Sequence, residues 1–329
     1  MKKPKILFWI IILIIIFFTL IVFVVPYLMP VKPLKNTSPV KELADCDSKF
    51  IEVDGLEIHY KQSGQSEQDL VLLHGFGASL FSWHEVTAPL AQFGVVITYD
   101  RPAFGLTERP MLEDWERENP YPNTYQPKLL VALMDKIGIE KAILIGNSAG
   151  GTLAVQTALE YSERVEALVL ISPAIITSEG TPSFLAQLFG LPAIDRIGPL
   201  ITRFFLSRSD VFIKNAWHDP AKIPPKTIDG YKKILLADNW DKALWEFVKA
   251  SKQIDLVEEL DELNLPILVV AGDDDRIVST ADSVRVAGLI PGAQLVILPE
   301  CGHVPQEECP EEFLMAVEKF LDQIRAEKK

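Results

Sequence analysis

The stretch Ala142-Ile143-Leu144-Ile145-Gly146-Asn147-Ser148-Ala149-Gly150-Gly151 decides the fold. Four apolar residues of strand type run into Gly-x-Ser-x-Gly, and the small, apolar segment Thr152–Tyr161 follows as a helix. This order of strand, sharp turn and helix lifts a serine hydroxyl clear of the backbone, where it can act as a nucleophile. Gly146 and Gly150 remove side chains that would collide in so tight a turn, while Asn147 and Ala149 flank Ser148 directly. The helix then points its amide dipoles at the charge that develops on attack. The plainer alternative is a glycine-rich β–α turn with no chemistry, so companions are needed.

Outward from this stretch the chain repeats one rhythm. Short apolar runs at Leu70–Leu73, Val95–Tyr99, Ala167–Ile171, Ile267–Ala271 and Gln294–Leu298 each end in a turn signal. Between them lie segments of helical spacing, including Thr124–Ile137 and Glu311–Ile324. Continuous apolar strands alternating with helices predict a mostly parallel sheet covered on both faces. Ahead of it, Lys49–Val53 and Leu56–Lys61 alternate around Asp54-Gly55, which predicts an antiparallel hairpin. Residues 176–262 break the rhythm: they hold helical segments punctuated by Pro182, Pro192, Pro199, Pro220, Pro224 and Pro225, too long a stretch for a loop. The expected organisation is a core at 49–175 and 263–329 with a helical cap at 176–262.

The companions follow the strands. His74-Gly75-Phe76-Gly77 succeeds the third strand, and its Phe76 amide, with that of Ala149, forms the expected oxyanion hole. His74 itself is expected to brace this loop. Asp273-Asp274-Asp275 succeeds the seventh strand and His303 the eighth, so the chain order Ser, Asp, His is complete. Three adjacent acids leave a solvated turn or a metal site open. Consecutive side chains diverge, however, and no companion ligands stand near; no metal or organic cofactor is expected. Of the five histidines, at 59, 74, 84, 218 and 303, only the last follows the final strand.

The pieces HGFGAS at 74–79, YDRPAFGLT at 99–107, GNSAGG at 146–151, GDDDRIV at 272–278 and CGHVPQEECPEEF at 301–313 together resemble the α/β-hydrolase superfamily from about residue 49 to 326. The resemblance implies a mixed eight-stranded sheet and a variable helical lid after the sixth strand. In the family the acid falls in a G-x-x-D-x-x-V pattern; Gly272, Asp275 and Val278 match it, which selects Asp275 among the three acids. A serine at 148 sets the chain apart from the dehalogenases and epoxide hydrolases of this fold, which carry Asp there. GNS-x-GG also occurs in carbon–carbon bond hydrolases, which usually have a Trp soon after the catalytic histidine; here Val304, Pro305 and Gln306 follow. Pro102 and Ala103 replace a commoner glycine-rich version of their loop, a departure expected to stiffen it.

At the N-terminus, Ile6–Val25 is an apolar run without a charge, long enough to span a bilayer and without a cleavage pattern after it. It predicts a single-pass membrane anchor within residues 1–30, followed by a Pro-rich tether at 31–48. Lys2, Lys3 and Lys5 before the run against Lys32 and Lys35 after it favour a cytoplasmic N-terminus and an extracytoplasmic body. Residues 1–41 hold six of the 32 basic residues and none of the 45 acidic ones, so the remainder carries a net −19. Such a body repels phosphate backbones and excludes nucleic acid as a partner. Three cysteines make no disulfide framework. Cys301 and Cys309 could pair outside the cytoplasm but are expected as unpaired fillers.

The expectation is therefore a membrane-anchored serine hydrolase acting on a small-molecule carboxylic ester through Ser148, His303 and Asp275. A carbon–carbon or peroxide-type reaction on the same three residues is the enzymatic alternative, and a non-catalytic receptor the other. The cap residues Phe184, Leu185, Leu188, Phe189, Ile194, Leu200, Phe204, Phe205 and Leu206 would form a lipophilic pocket or, more ordinarily, pack onto the core.

Overall fold

The computed structural model describes residues 3–65, 68–176 and 180–327. Eight strands form one sheet: β1 (Lys49–Val53), β2 (Leu56–Ser63), β3 (Asp69–Leu73), β4 (Val95–Tyr99), β5 (Ala142–Asn147), β6 (Val165–Ile171), β7 (Ile267–Gly272) and β8 (Gln294–Leu298). Their order across the sheet is β1-β2-β4-β3-β5-β6-β7-β8. β1 pairs antiparallel with β2 and β2 with β4; every later pairing is parallel.

Central strands are apolar throughout because both faces are covered. Val71, Leu73, Leu144, Leu168, Leu170 and Val269 pack against the helices Gln126–Ile137 and Ala149–Glu160. Leu70, Leu72, Ile143, Ile145, Val169 and Ile171 pack on the opposite face with Phe313, Val317, Phe320 and Leu321 of the helix Pro310–Glu327. Leu73 pairs with Gly146, and Gly272 with Leu298. The parallel strands thus end at one edge, and the loops after β3, β5, β7 and β8 gather there, the usual place for a ligand in an open α/β sheet.

Between β6 and β7 the chain forms helices Ser183–Phe189, Pro192–Leu206, Ser209–Ala216, Pro225–Lys232 and Trp240–Ala250. Pro199 lies inside the second of these helices. Of the nine apolar cap residues, five are half-buried and four are exposed. Leu206 packs beside Ala243 and Phe247, and Phe189 meets Trp245, but none of the nine is fully buried. Phe184, Leu188, Phe204 and Phe205 are exposed.

The N-terminus also departs from a single straight span. A helix covers Lys3–Phe23, and a short turn Val25–Leu28 with Pro26 in its first positions follows. Its described apolar side chains run Phe8–Phe23, and among the described residues no single helix is long and apolar enough to cross a membrane. Lys2 lies outside the described residues. The tether is not loose: Ser38 bridges Ala237 of the cap, with Ser38 N donating to Leu236 O at 2.8 Å and Asp238 N to Ser38 O at 2.9 Å. Asp45 binds Lys61 and Lys233 at 2.8 and 2.6 Å.

Candidate active site

Ser148 occupies the turn between β5 and its helix with φ 52° and ψ −118°. A non-glycine residue in this region stores about 1–3 kcal/mol of strain, which the surrounding packing must hold. The packing is close. A Cβ on Gly146 would lie 2.3 Å from Gly150 O, and one on Gly150 would lie 1.9 Å from Leu73 O. Small residues are thus required for the helix to approach β3, as the sequence pattern implied.

The loop after β3 runs beside the serine, since a Cβ on Gly75 would be 3.2 Å from Ser148 Cβ. Phe76 and Ser148 line one cavity of about 280 Å³ with Asn123, Thr181, Phe247 and Ser251. Ala149 opens the helix, so its amide has no intrahelical acceptor. The Phe76 amide makes no backbone hydrogen bond among the described residues. His74 braces the loop as expected: fully buried, its Nδ1 donates to Gly75 O at 2.8 Å and its Nε2 accepts from Arg101 N at 3.0 Å. Burial, helped by neighbouring Arg101, pushes its pKa down to about 4, so it is neutral at physiological pH.

His303 and Asp275 meet: Nδ1 lies 2.8 Å from Oδ2, with the Asp275 side chain fully buried. The other oxygen, Oδ1, accepts from the amides of Ile277 at 2.8 Å and Val278 at 3.0 Å. A carboxylate so held can only present Oδ2 as an acceptor, which fixes the proton on His303 Nδ1 and leaves Nε2 free to take one. The three acids diverge. Asp274 bonds His218 Nδ1 at 2.9 Å and pairs with Arg276, while Asp273 accepts weakly from Cys301 N at 3.4 Å.

Several residues that hold the histidine had no separate signal in the sequence. Asn147 Nδ2 donates to His303 O at 3.1 Å, tying the serine turn to the histidine loop. His303 N donates to Ala216 O of the cap at 2.7 Å. Glu308 accepts from Gly302 N at 2.7 Å, His218 N at 2.9 Å and Asp219 N at 3.0 Å, joining loop and cap. Cys301 and Cys309 form a disulfide across this loop, with a Cα separation of 6.3 Å, against the expectation of unpaired fillers. Cys301 is fully buried within the core, and the eight-residue loop returns Cys309 to it. Only contact across the folded loop makes that visible.

The YDRPAFGLT loop is a support. Asp100 is buried, binds His59 Nδ1 at 2.6 Å and accepts from the amides of Leu80 and Leu106, both at 2.7 Å. A larger cavity of about 730 Å³ lies beside this pair and the tether, but Ser148, Asp275 and His303 do not line it. Size therefore does not locate the chemistry; the converging groups do.

Residues 70–310 match the sequence pattern of the alpha/beta hydrolase fold family. The chain belongs to that family. Among its relatives in the family is the uncharacterized hydrolase YugF of Bacillus subtilis, 29% identical, the alignment covering 82% of this chain and 96% of that protein. The 2-hydroxy-6-oxo-6-phenylhexa-2,4-dienoate hydrolase of Burkholderia cepacia is 26% identical over 83% of this chain and 96% of its own. Of solved structures, Est816, described as an N-acyl homoserine lactone degrading enzyme, superposes with a TM-score of 0.64 at 26% identity, covering 83% of this chain and 100% of that one. A membrane phospholipase A described as a bacterial virulence factor has the same fold along almost the whole chain, with a TM-score of 0.64 at 24% identity and coverage of 98% and 99%.

Proposed function

We propose that this α/β-hydrolase cleaves carboxylic esters by acyl transfer through Ser148, His303 and Asp275, on a body tethered to a membrane by its N-terminal helix. The observation that carries the proposal is the buried Asp275–His303 hydrogen bond of 2.8 Å, on loops at the same sheet edge as the strained Ser148.

His303 Nε2 takes the Ser148 proton as Oγ attacks the ester carbonyl carbon. Negative charge gathers on the carbonyl oxygen, where the amides of Phe76 and Ala149 donate to it; loss of one such donor commonly costs about 3–4 kcal/mol of barrier. The proton then passes from His303 to the departing alkoxide, which leaves as the alcohol. Water, deprotonated by His303, attacks the acyl-enzyme and frees the acid and Ser148. Apolar Phe76 and Phe247 in the cavity wall suit a lipophilic acyl or alcohol group.

A second reading is carbon–carbon bond hydrolysis, favoured by the activity in the name of the Burkholderia relative. Val304-Pro305 after His303, where such enzymes usually carry Trp, weighs toward esters. The two separate in one assay on the purified full chain in detergent. Turnover of p-nitrophenyl esters with none of a 2-hydroxy-6-oxo-dienoate supports the proposal; the reverse sinks it.

The anchor is supported by the apolar Phe8–Phe23 helix, whose side chains are almost all exposed. An extracytoplasmic body is supported by the lysine asymmetry and by the Cys301–Cys309 disulfide, since disulfides persist in oxidising compartments. Protease protection in spheroplasts and inverted vesicles tests the orientation: digestion of the body only in inverted vesicles would reverse it.

A further inference from the structure

The exposed aromatic side chains of the cap neither pack on the core nor line the Ser148 cavity, so their position needs a separate cause. Phe204, Phe205 and Phe212 are each more than half exposed, at 57%, 56% and 55%, and Val211 beside them at 64%. Phe184 on the preceding helix is 68% exposed. A soluble surface rarely gathers large apolar side chains in this way unless something covers them.

Position says what does. The turn Val25–Leu28 and the end of the N-terminal helix pack against the cap helix Pro192–Leu206, and Pro26 is buried. Arg203 Nη1 donates to Lys32 O at 2.7 Å, fixing the tether beside Phe204. The apolar Phe8–Phe23 helix therefore leaves the body next to the aromatic patch. The cap helices Ser183–Phe189 and Pro192–Leu206, bent by 100° at their junction, are together long and apolar enough to enter a membrane.

Charge agrees. The body is strongly acidic, yet residues 183–217 carry Arg196, Arg208 and Lys214 besides Arg203, which is paired with Asp241 at 2.7 Å, against Asp195 and Asp210. The Arg208 guanidinium stacks over Phe204 at 3.8 Å from the ring centroid. Aromatic rings interleaved with cations suit the interface of a bilayer, where rings enter the acyl boundary and cations meet phosphates.

We propose that the cap face formed by Phe204, Phe205, Val211 and Phe212 lies in the headgroup layer of the bilayer that holds the N-terminal helix, and binds anionic phospholipid there. This rests on the anchor proposed above.

The test uses the full chain in vesicles of phosphatidylcholine and phosphatidylglycerol, with Cys46→Ser removing the free thiol. Nitroxide labels are placed singly through F17C, F205C, F212C and M315C, all at exposed positions. Collision with oxygen and with a nickel chelate then reports depth, and turnover of a short soluble ester confirms folding. Labels at 205 and 212, like that at 17, should be at least threefold more accessible to oxygen relative to nickel than the label at 315. Labels at 205 and 212 that match 315 while 17 reads lipid would overturn the cap contact and leave the anchor standing. An aqueous label at 17 would overturn both. Spin–spin broadening at 205 and 212 that unlabelled protein dilutes away would assign the patch to a second copy of this chain, and overturns the lipid contact.

Discussion

Replacement of Asp275 by Asn isolates the claim that this carboxylate sets the proton on His303. The asparagine is isosteric, and its carbonyl oxygen can still accept from the amides of Ile277 and Val278, now at 2.8 and 3.0 Å. Its amide nitrogen then faces His303 Nδ1 where an acceptor stood at 2.8 Å. The ring must answer by accepting at Nδ1 and placing its proton on Nε2, which can no longer take one from Ser148. Such a tautomer error costs about 10⁴ in kcat, about 5.4 kcal/mol of barrier. The fold should lose much less, about 1–2 kcal/mol, because two charge-assisted backbone bonds become neutral ones rather than disappearing. The assay is kcat for a p-nitrophenyl ester beside thermal unfolding. Asp274→Asn is the control. That acid binds His218 and Arg276 rather than His303, so kcat should stay within about threefold, far from the catalytic loss. A D275N enzyme within tenfold of the parent, or a D274N enzyme as impaired as D275N, would refute the reasoning.

Burial pushes the Glu307 carboxyl up to about 8, against the opposing hydrogen bond from Tyr231, while the unfolded chain titrates it near 4.5. Between these values the folded state holds the extra proton, so the stability it gives is complete below the lower value and is lost as pH rises through the upper one. Glu307→Gln should therefore gain in Tm relative to the parent as pH rises from about 5 to about 8; parallel Tm curves would contradict this. Ser251 Oγ is buried in the wall of the Ser148 cavity without a partner among the described residues. Ser251→Ala should leave Tm unchanged, since no hydrogen bond is lost, and raise KM for esters with a polar group by about tenfold, the worth of one hydrogen bond; an unchanged KM across the panel removes Ser251 from substrate binding. Opening the disulfide in a C301S/C309S double variant releases a loop closed over a separation of eight residues. Urea unfolding should show a loss of about 2.5 kcal/mol from chain entropy, with kcat falling because His303 lies inside the ring. Equal kcat would mean that Glu308 and Asn147 position the histidine unaided.

The sheet was legible because its central strands are buried on both faces and so read as unbroken apolar runs. The predicted run Val95–Tyr99 coincides with the strand formed, and Ala167–Ile171 lies within its strand. The candidate triad was legible for a related reason: each member follows a strand end, and the spacing Gly272, Asp275, Val278 selects one acid from three. What stayed hidden depends on contacts between distant segments. Nothing in the local sequence says that Glu308 caps His218 and Asp219, or that Ser38 pairs with the cap. The cap aromatics misled because apolar composition fixes only that a side chain avoids water, not which surface it avoids water against. Pro199 sits within a cap helix, where proline is disfavoured but tolerated when tertiary packing compensates. Here Gly198 packs so closely against Trp245 that a Cβ would lie 2.0 Å from its ring.

The central claim is that Ser148 is an activated nucleophile, and covalent labelling reads this most directly. The full chain in detergent is treated with a fluorophosphonate probe beside Ser148→Ala, with the modified peptide located by mass spectrometry. The account predicts that the parent is labelled on Ser148 alone, that the variant is not labelled, and that D275N is labelled at least about 10³-fold more slowly. A folded parent that resists the probe, or label found on a serine other than Ser148, would contradict it.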